Sequence, residues 1–168
     1  MSPQGKRYDS YLSHSSIQTW ETQSMSRLFI HAGHLARLIA NDPQVTAAPV
    51  RYRLIGQLLE IITVEESLRK QGYVCELQVK DLPEFGRREL QETVRAVVGE
   101  SIYISQMATG CRGHQPLRGA AVSLCLGVSL LNDATSVFEV LDIQVLTTKE
   151  IERLHSFVQS TMGAQFVQ

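Results

Sequence analysis

The segment GAAVSLCLGVSLL, Gly119 to Leu131, carries no charged residue and alternates larger apolar side chains with small ones. Successive side chains on a β-strand point to opposite sides, so this pattern predicts a strand with one apolar face and one flat face. The flat face consists of Ser123, Cys125, Gly127 and Ser129. Because charged side chains normally protect exposed strands from pairing with other chains, we expect this strand to be central, covered by helices, or part of an interface.

Three further segments of the second half are predicted to be strands. They are residues 73–79, 101–107 and 137–146. Residues 73–79 alternate strictly, with Tyr73 and Cys75 on the same side as the apolar residues that follow. The short polar segment NDATS, 132–136, predicts that the strands before and after it form a hairpin.

Apolar residues at helical spacing predict helices before and between these strands. The predicted helices cover residues 24–40, 49–62, 63–72, 85–98 and 148–162. Pro49 suits the first position of the second helix. The last helix follows Thr147 and Glu150, which have the spacing of a capping box.

The predicted order is therefore N-terminal helices followed by a β-α-β-β-β-α unit. Segregated helices and consecutive strands predict an α+β fold with a mainly antiparallel sheet. Residues 1–16 are polar and are expected to be a disordered tail, whereas residues 17–168 are expected to form a single globular domain.

The composition limits the classes of protein that this sequence fits. Sixteen basic and seventeen acidic residues leave a net charge of −1, which gives no surplus for wrapping a polyanion. The three cysteines are an odd number without a paired spacing, which argues against a disulfide scaffold. The N-terminal residues lack a signal-peptide core, and no apolar stretch is long enough for a transmembrane segment. We therefore expect a cytoplasmic protein in a reducing compartment.

The segment TGCRGHQPLRG, 109–119, is the loop with the most reactive content. Its basic residues Arg112, His114 and Arg118, together with Arg87 and Arg88, are candidates for binding an anion or RNA. As a phosphate loop it lacks the Walker pattern and opens no helix. We expect no catalytic residues, no metal and no cofactor, but a small enzyme with a Cys/His site in this loop stays an alternative.

The order predicted for residues 87–161, α-β-β-β-α, resembles that of double-stranded RNA-binding domains. The resemblance is one of element order and covers under half of the chain. Such domains place lysines at the start of the closing helix. Here Lys149 and Arg153 are offset by Glu150 and Glu152, so the resemblance implies RNA binding only as an alternative.

The neutral strand favours a non-enzymatic protein–protein interaction or self-assembly module over these alternatives. Its flat face, Ser123, Cys125, Gly127 and Ser129, is the predicted interface. The expected partners are a second copy of the chain, in a homo-oligomer, or another protein. A structural or adaptor protein, including a small viral structural or accessory protein, fits this interpretation, and nucleic acid is the second choice of partner.

Overall fold

The computed structural model describes residues 27–41, 50–86, 92–110, 115–131, 135–165 and 167. Within these ranges the chain forms six strands and four helices, followed by a short 3₁₀ turn. In chain order these are β1 (Arg27–Phe29), α1 (Ala32–Asn41), β2 (Tyr52–Thr63), α2 (Glu66–Lys70), β3 (Tyr73–Lys80), β4 (Thr93–Gly99), α3 (Glu100–Ile102, continued as a π-helix over Tyr103–Ala108), β5 (Ala121–Leu130), β6 (Ser136–Val145), α4 (Thr148–Gln159) and the turn Gly163–Gln165.

Five of the strands close into a barrel. β2 pairs antiparallel with β3, and β3 pairs antiparallel with β4. β4 runs parallel to β6, β6 pairs antiparallel with β5, and β5 returns to pair antiparallel with β2. Each of the five strands therefore has a partner on both sides, which is the condition for closure. β1 adds a short parallel strand beside β2.

The interior of the barrel is filled by the inward side chains of all five strands. On β5 these are Val122, Leu124 and Leu126, each 0% exposed. Tyr52 lies between Phe29 and Phe138, with ring centroids 5.9 and 6.3 Å away in edge-on arrangements. The apolar side of the neutral strand therefore forms part of the core, as the alternation predicts.

Two helices close opposite ends of the barrel. α1 contributes Ala32 and Leu35 to the core, and its Arg37 Nη1 lies 3.7 Å from Glu92 Oε1, directly before β4 begins. α3 starts where β4 ends and contributes the buried Met107. The ends of the barrel are thus filled by helical side chains, which leaves the outer surfaces of the strands for other contacts.

α4 lies against the outside of the barrel. Its capping box is formed as predicted, because Thr147 Oγ1 accepts a hydrogen bond from Glu150 N at 3.4 Å and Thr147 N donates to Glu150 Oε2 at 2.8 Å. The apolar stripe of the helix packs on a second cluster built on Ile30, Ile55 and Leu82. No residue of α4 is fully buried, so this packing covers the stripe only in part.

The prediction of a mixed fold with a mainly antiparallel sheet is confirmed, although closure into a barrel is not predicted from the sequence. The strands β3, β5 and β6, the hairpin between β5 and β6, and α4 lie where the sequence places them. The tail over residues 1–16 lies outside the described residues.

The helix predicted over residues 49–62 is wrong, because most of this segment is the strand β2. The first half of the strand is covered on both sides: Leu54 points into the barrel, whereas Ile55 belongs to the cluster beneath α4. A strand buried on both faces loses its alternation and becomes indistinguishable from a helix by periodicity. The helix predicted over residues 63–72 is only the short α2, and its N-cap is Glu65 without a side-chain cap.

Two more elements differ in type from the prediction: one predicted helix is a strand, and one predicted strand is helical. The helix predicted over 85–98 is contradicted by β4, where Val94, Val97 and Val98 are all 2% exposed or less. Their helical spacing arises because the outward Val97 is buried together with the inward Val94 and Val98, so this part of β4 lacks alternation. The strand predicted over 101–107 is helical, with Ile102, Tyr103 and Met107 turned toward the core.

Because these two elements differ from the prediction, the described residues do not have the element order that resembles double-stranded RNA-binding domains. The described part of residues 87–161 begins with a strand and continues with a helix. At the N-terminal side, the helix predicted over 24–40 is divided, since Arg27–Phe29 forms β1 and the helix begins at Ala32.

Candidate functional site

The outer surface of β3, β4 and β6 is the side of the barrel that we call the open face. Its outward side chains include Glu76, Gln78, Arg95, Val97 and Glu139. The Arg95 side chain is 63% exposed, so this surface is in contact with solvent. It lies away from the second cluster, on which α4 packs.

The middle of the open face is a row of residues fixed by strand register. Glu76 pairs with Val97, Val97 with Glu139, and Glu139 with Gly127. Val97 is only 2% exposed and provides an apolar floor between the two carboxylates. Arg95 Nη1 lies 3.5 Å from Glu76 Oε1, so one of these carboxylates already has a cationic neighbour.

Glu139 is held by two hydroxyl groups from other strands. Ser129 Oγ donates a hydrogen bond to Glu139 Oε2. The Tyr73 phenol hydrogen-bonds with both Ser129 and Glu139. Burial, followed by the negative charge of Glu139, raises the pKa of the Tyr73 phenol above its ordinary value. Tyr73 therefore stays protonated at neutral pH and serves as a donor to the carboxylate.

A hollow of about 530 Å³ lies where the end of β2, the start of β3, α2 and the start of α3 meet. Its lining includes Tyr73, Tyr103, Arg69 and Glu100, which places two aromatic rings, one cation and one carboxylate around it. This volume lies in the range of small-ligand sites, roughly 300–1,000 Å³. The hollow and the open face share Tyr73, and together they form the candidate site.

Cys75 also lines this hollow but lacks the properties of a nucleophile. It is 5% exposed, and burial raises the pKa of its thiol to about 11. The reactive form of cysteine is the thiolate, which such a thiol hardly populates at neutral pH. Cys75 and Cys125 are both free in the part of the chain that the structure describes.

We expect Cys75 to react with a thiol reagent about a hundredfold more slowly than an unperturbed thiol at pH 8, since each pKa unit is a factor of ten in thiolate. The measurement uses a variant with Cys111→Ser and Cys125→Ser, with the same chain in urea as the control. Because the pKa of the Cys75 thiol is raised in the folded state, the folded protein favours the neutral thiol. The free energy of unfolding is therefore unaffected by this group at neutral pH and falls as the pH rises toward about 11. A native rate equal to the rate in urea contradicts this expectation.

The four residues of the predicted interface do not share one exposed surface. Ser123 is 3% and Cys125 is 8% exposed, whereas Gly127 and Ser129 are half-buried. Arg53 Nη1 donates to Ser123 Oγ at 2.9 Å. Of the alternatives predicted for the neutral strand, the central position holds, because β5 pairs with both β2 and β6.

Of the five predicted basic residues, the structure describes one, Arg118. Arg118 is exposed on a turn beside β2, where Gly119 N donates to Leu58 O at 2.7 Å. Arg87, Arg88, Arg112 and His114 lie outside the described residues, as does the Cys/His pair of the enzyme hypothesis. Within the described ranges, no three His, Cys, Asp or Glu side chains lie together in a way that holds a metal.

Local sequence patterns do not indicate the residues that define the candidate site. Residues 73–79 predict that Tyr73 shares the inward side with Cys75, but a bulge between them turns Tyr73 toward Gly99 on the outer side. The alternation does place Glu76 and Gln78 outside, and this is the signal that marks the open face. The proximity of Glu139 to Tyr73 depends on the parallel pairing of β4 and β6, which local periodicity does not reveal.

A closed barrel with antiparallel pairs throughout except between its third and fifth strands, and with a helix between the third and fourth, has the connectivity of the OB-fold. The chain is similar to a solved structure described as the crystal structure of yeast Stn1 and Ten1. The TM-score is 0.63 at 17% identity, over 85% of this chain and 98% of that chain. This likeness shows the fold.

Weaker likenesses to other solved structures include the following two. One is to Rim1, a mitochondrial single-stranded DNA binding protein of S. cerevisiae, with a TM-score of 0.38, 12% identity, and coverage of 60% of this chain and 96% of that chain. The other is to a putative aspartyl-tRNA synthetase of Leishmania major, with a TM-score of 0.39, 13% identity, and coverage of 78% and 22%. No family model and no curated protein matches the sequence. None of the described helices is long and apolar enough to cross a membrane.

Proposed function

We propose that this protein binds single-stranded nucleic acid on the open face. The observation that carries the proposal is the position of Tyr73, Arg69 and Arg95 on and beside the second and third strands of an OB barrel. In this fold, that surface and the loops beside it are where oligonucleotides bind. Nucleic-acid binding is thus preferred to the self-assembly hypothesis, and the described site differs from the basic residues predicted for it.

The chemistry of the face suits bases better than phosphates. Aromatic rings stack on bases of any sequence, and Tyr73 and Tyr103 supply two rings at the hollow. Among the described residues, Arg69, Lys80 and Arg95 are the nearby cations, whereas Glu76, Glu100 and Glu139 oppose phosphate. We therefore expect contacts to only two or three phosphates and a shallow dependence of affinity on salt, with a logarithmic slope of about −2.

The proposal predicts that Tyr73→Ala lowers the affinity for a single strand about tenfold, because aromatic stacking contributes about 1–3 kcal/mol per base. The measurement is fluorescence anisotropy with labelled mixed-sequence DNA and RNA strands between about 50 and 200 mM salt. Tyr73→Phe retains the ring and should bind nearly as well as the wild type.

Phe157→Ala is the matched control, since Phe157 is an aromatic residue 40% exposed on α4, away from the open face. It should leave the affinity unchanged. The absence of binding to either strand at low salt, or an equal loss in Tyr73→Ala and Phe157→Ala, overturns the proposal. The DNA and RNA strands decide which nucleic acid is preferred.

A protein partner is the second candidate, favoured by the surface around α4. Phe157 is 40% exposed and Met162 is 69% exposed, beside a helix whose stripe is half-buried. Exposed apolar side chains in one region are typical of protein contacts. Sedimentation of the wild type against Met162→Ser tests for a second copy of the chain as this partner. Homo-oligomerisation, a structural or viral role and a cytoplasmic location stay predictions.

A further inference from the structure

We infer that Glu139 selects guanine among the bases that reach the open face, an inference that rests on the proposed function. Glu139 lies in the middle row of the face, between Val97 and Gly127. A strand that stacks on Tyr73 places its next base close to this carboxylate, because the Tyr73 phenol hydrogen-bonds there. The hydrogen-bonding groups of the Glu139 carboxylate therefore decide which base is bound at this position.

The carboxylate is fixed in one orientation before any ligand arrives. Ser129 Oγ donates to Glu139 Oε2, and the Tyr73 phenol also donates to the Glu139 carboxylate. The Glu139 side chain is therefore anchored from two other strands. Each carboxylate oxygen has two lone pairs and no proton to donate. At least two acceptor positions stay available, and they are presented together in a plane.

An acceptor pair requires a base edge with two adjacent N–H donors. Guanine has this edge in its N1–H and N2–H groups. Adenine and cytosine present one donor beside a ring-nitrogen acceptor, and thymine and uracil present one donor between two carbonyls. In each of these four bases, an acceptor atom would face the second oxygen of the Glu139 carboxylate and be repelled by it. Bases of a single strand are free to be bound through these edges.

The test compares oligonucleotides of equal length in which every third thymine is replaced by guanine, inosine, 7-deazaguanine or adenine, in lithium buffer. Inosine lacks only the N2 amino group, whereas 7-deazaguanine keeps both donors. The wild type should bind the guanine and 7-deazaguanine strands about tenfold more tightly than the inosine and adenine strands, as a paired base contact allows.

Glu139→Gln should reduce this preference to less than about twofold, because the amide offers one acceptor and one donor. Glu152→Gln, an equal change on the exposed side of α4, should retain the preference. Thermal unfolding of each variant checks the fold. Equal binding of the guanine and inosine strands, a loss with 7-deazaguanine, or an unchanged preference in Glu139→Gln overturns the inference while leaving nucleic-acid binding intact. The failure of every strand to bind overturns both.

Discussion

Replacement of Leu124 by alanine is expected to lower the free energy of unfolding by about 2–5 kcal/mol. Leu124 is 0% exposed on the inner side of β5 and belongs to the main core cluster. Its truncation removes buried methyl groups and leaves a cavity that the surrounding strands fill only in part. Because domains of this size are stable by only about 5–15 kcal/mol, this change removes a large share of the total. Urea denaturation followed by circular dichroism measures it.

Leu130→Ala is the control on the same strand. Leu130 is 59% exposed at the end of β5, and its truncation should change the stability by less than about 0.5 kcal/mol. The difference between the two leucines tests the position of β5 in a closed barrel. Similar losses in both variants contradict the assignment of inner and outer positions along this strand.

The second large effect is expected for Gly56→Ala on β2. A β-carbon at this position lies 2.5 Å from the carbonyl oxygen of Lys80 and 2.5 Å from Val79 Cγ1, which is closer than real contacts allow. The oxygen belongs to the backbone of β3, so it moves only if the strand pairing moves with it. We expect a loss of about 3 kcal/mol in the free energy of unfolding, at the upper end of the cost of overpacking.

Gly127→Ala is the matched change, since the three atoms nearest to its β-carbon all belong to the Leu141 side chain, with Cδ1 at 3.2 Å. Leu141 is 38% exposed and its side chain has room to shift, so the stability should change by less than about 1 kcal/mol. Positive φ angles occur at Gly72, Gly110 and Gly119 among the described glycines, so backbone strain does not account for the difference. Tolerance of alanine at Gly56 contradicts the close approach of β2 and β3.

Sequence periodicity identifies those parts of the fold in which one face of an element is solvated. β3 alternates because Glu76 and Gln78 face outward, and α4 has a stripe because its other side faces water. Periodicity fails for the first half of β2, which is covered on both faces, and for β4, where the outward Val97 is buried beside the inward valines. Burial on both sides removes the polar residues that distinguish one period from another.

Closure of the barrel is beyond the reach of local patterns for another reason. It depends on two pairings between distant segments, β2 with β5 and β4 with β6. The candidate site inherits this limit in part. Ser129 meets Glu139 within the β5–β6 hairpin, whereas Tyr73 is brought to them by the pairing of β4 with β6. The predicted basic residues follow from the content of the loop 109–119 and from Arg87 and Arg88, and the described one, Arg118, lies on a turn beside β2.

The pairing of β2 with β5 has a consequence for how the chain acquires its structure. Arg53 and Ser123, which meet across this pair, are 70 positions apart, so loop closure must precede much of the stabilising contact. Proteins rich in such distant pairings fold slowly. During synthesis β2 emerges from the ribosome well before β5, and its apolar edge then has no partner. This interval is when association with other nascent chains competes with folding, and when a chaperone has most to contribute.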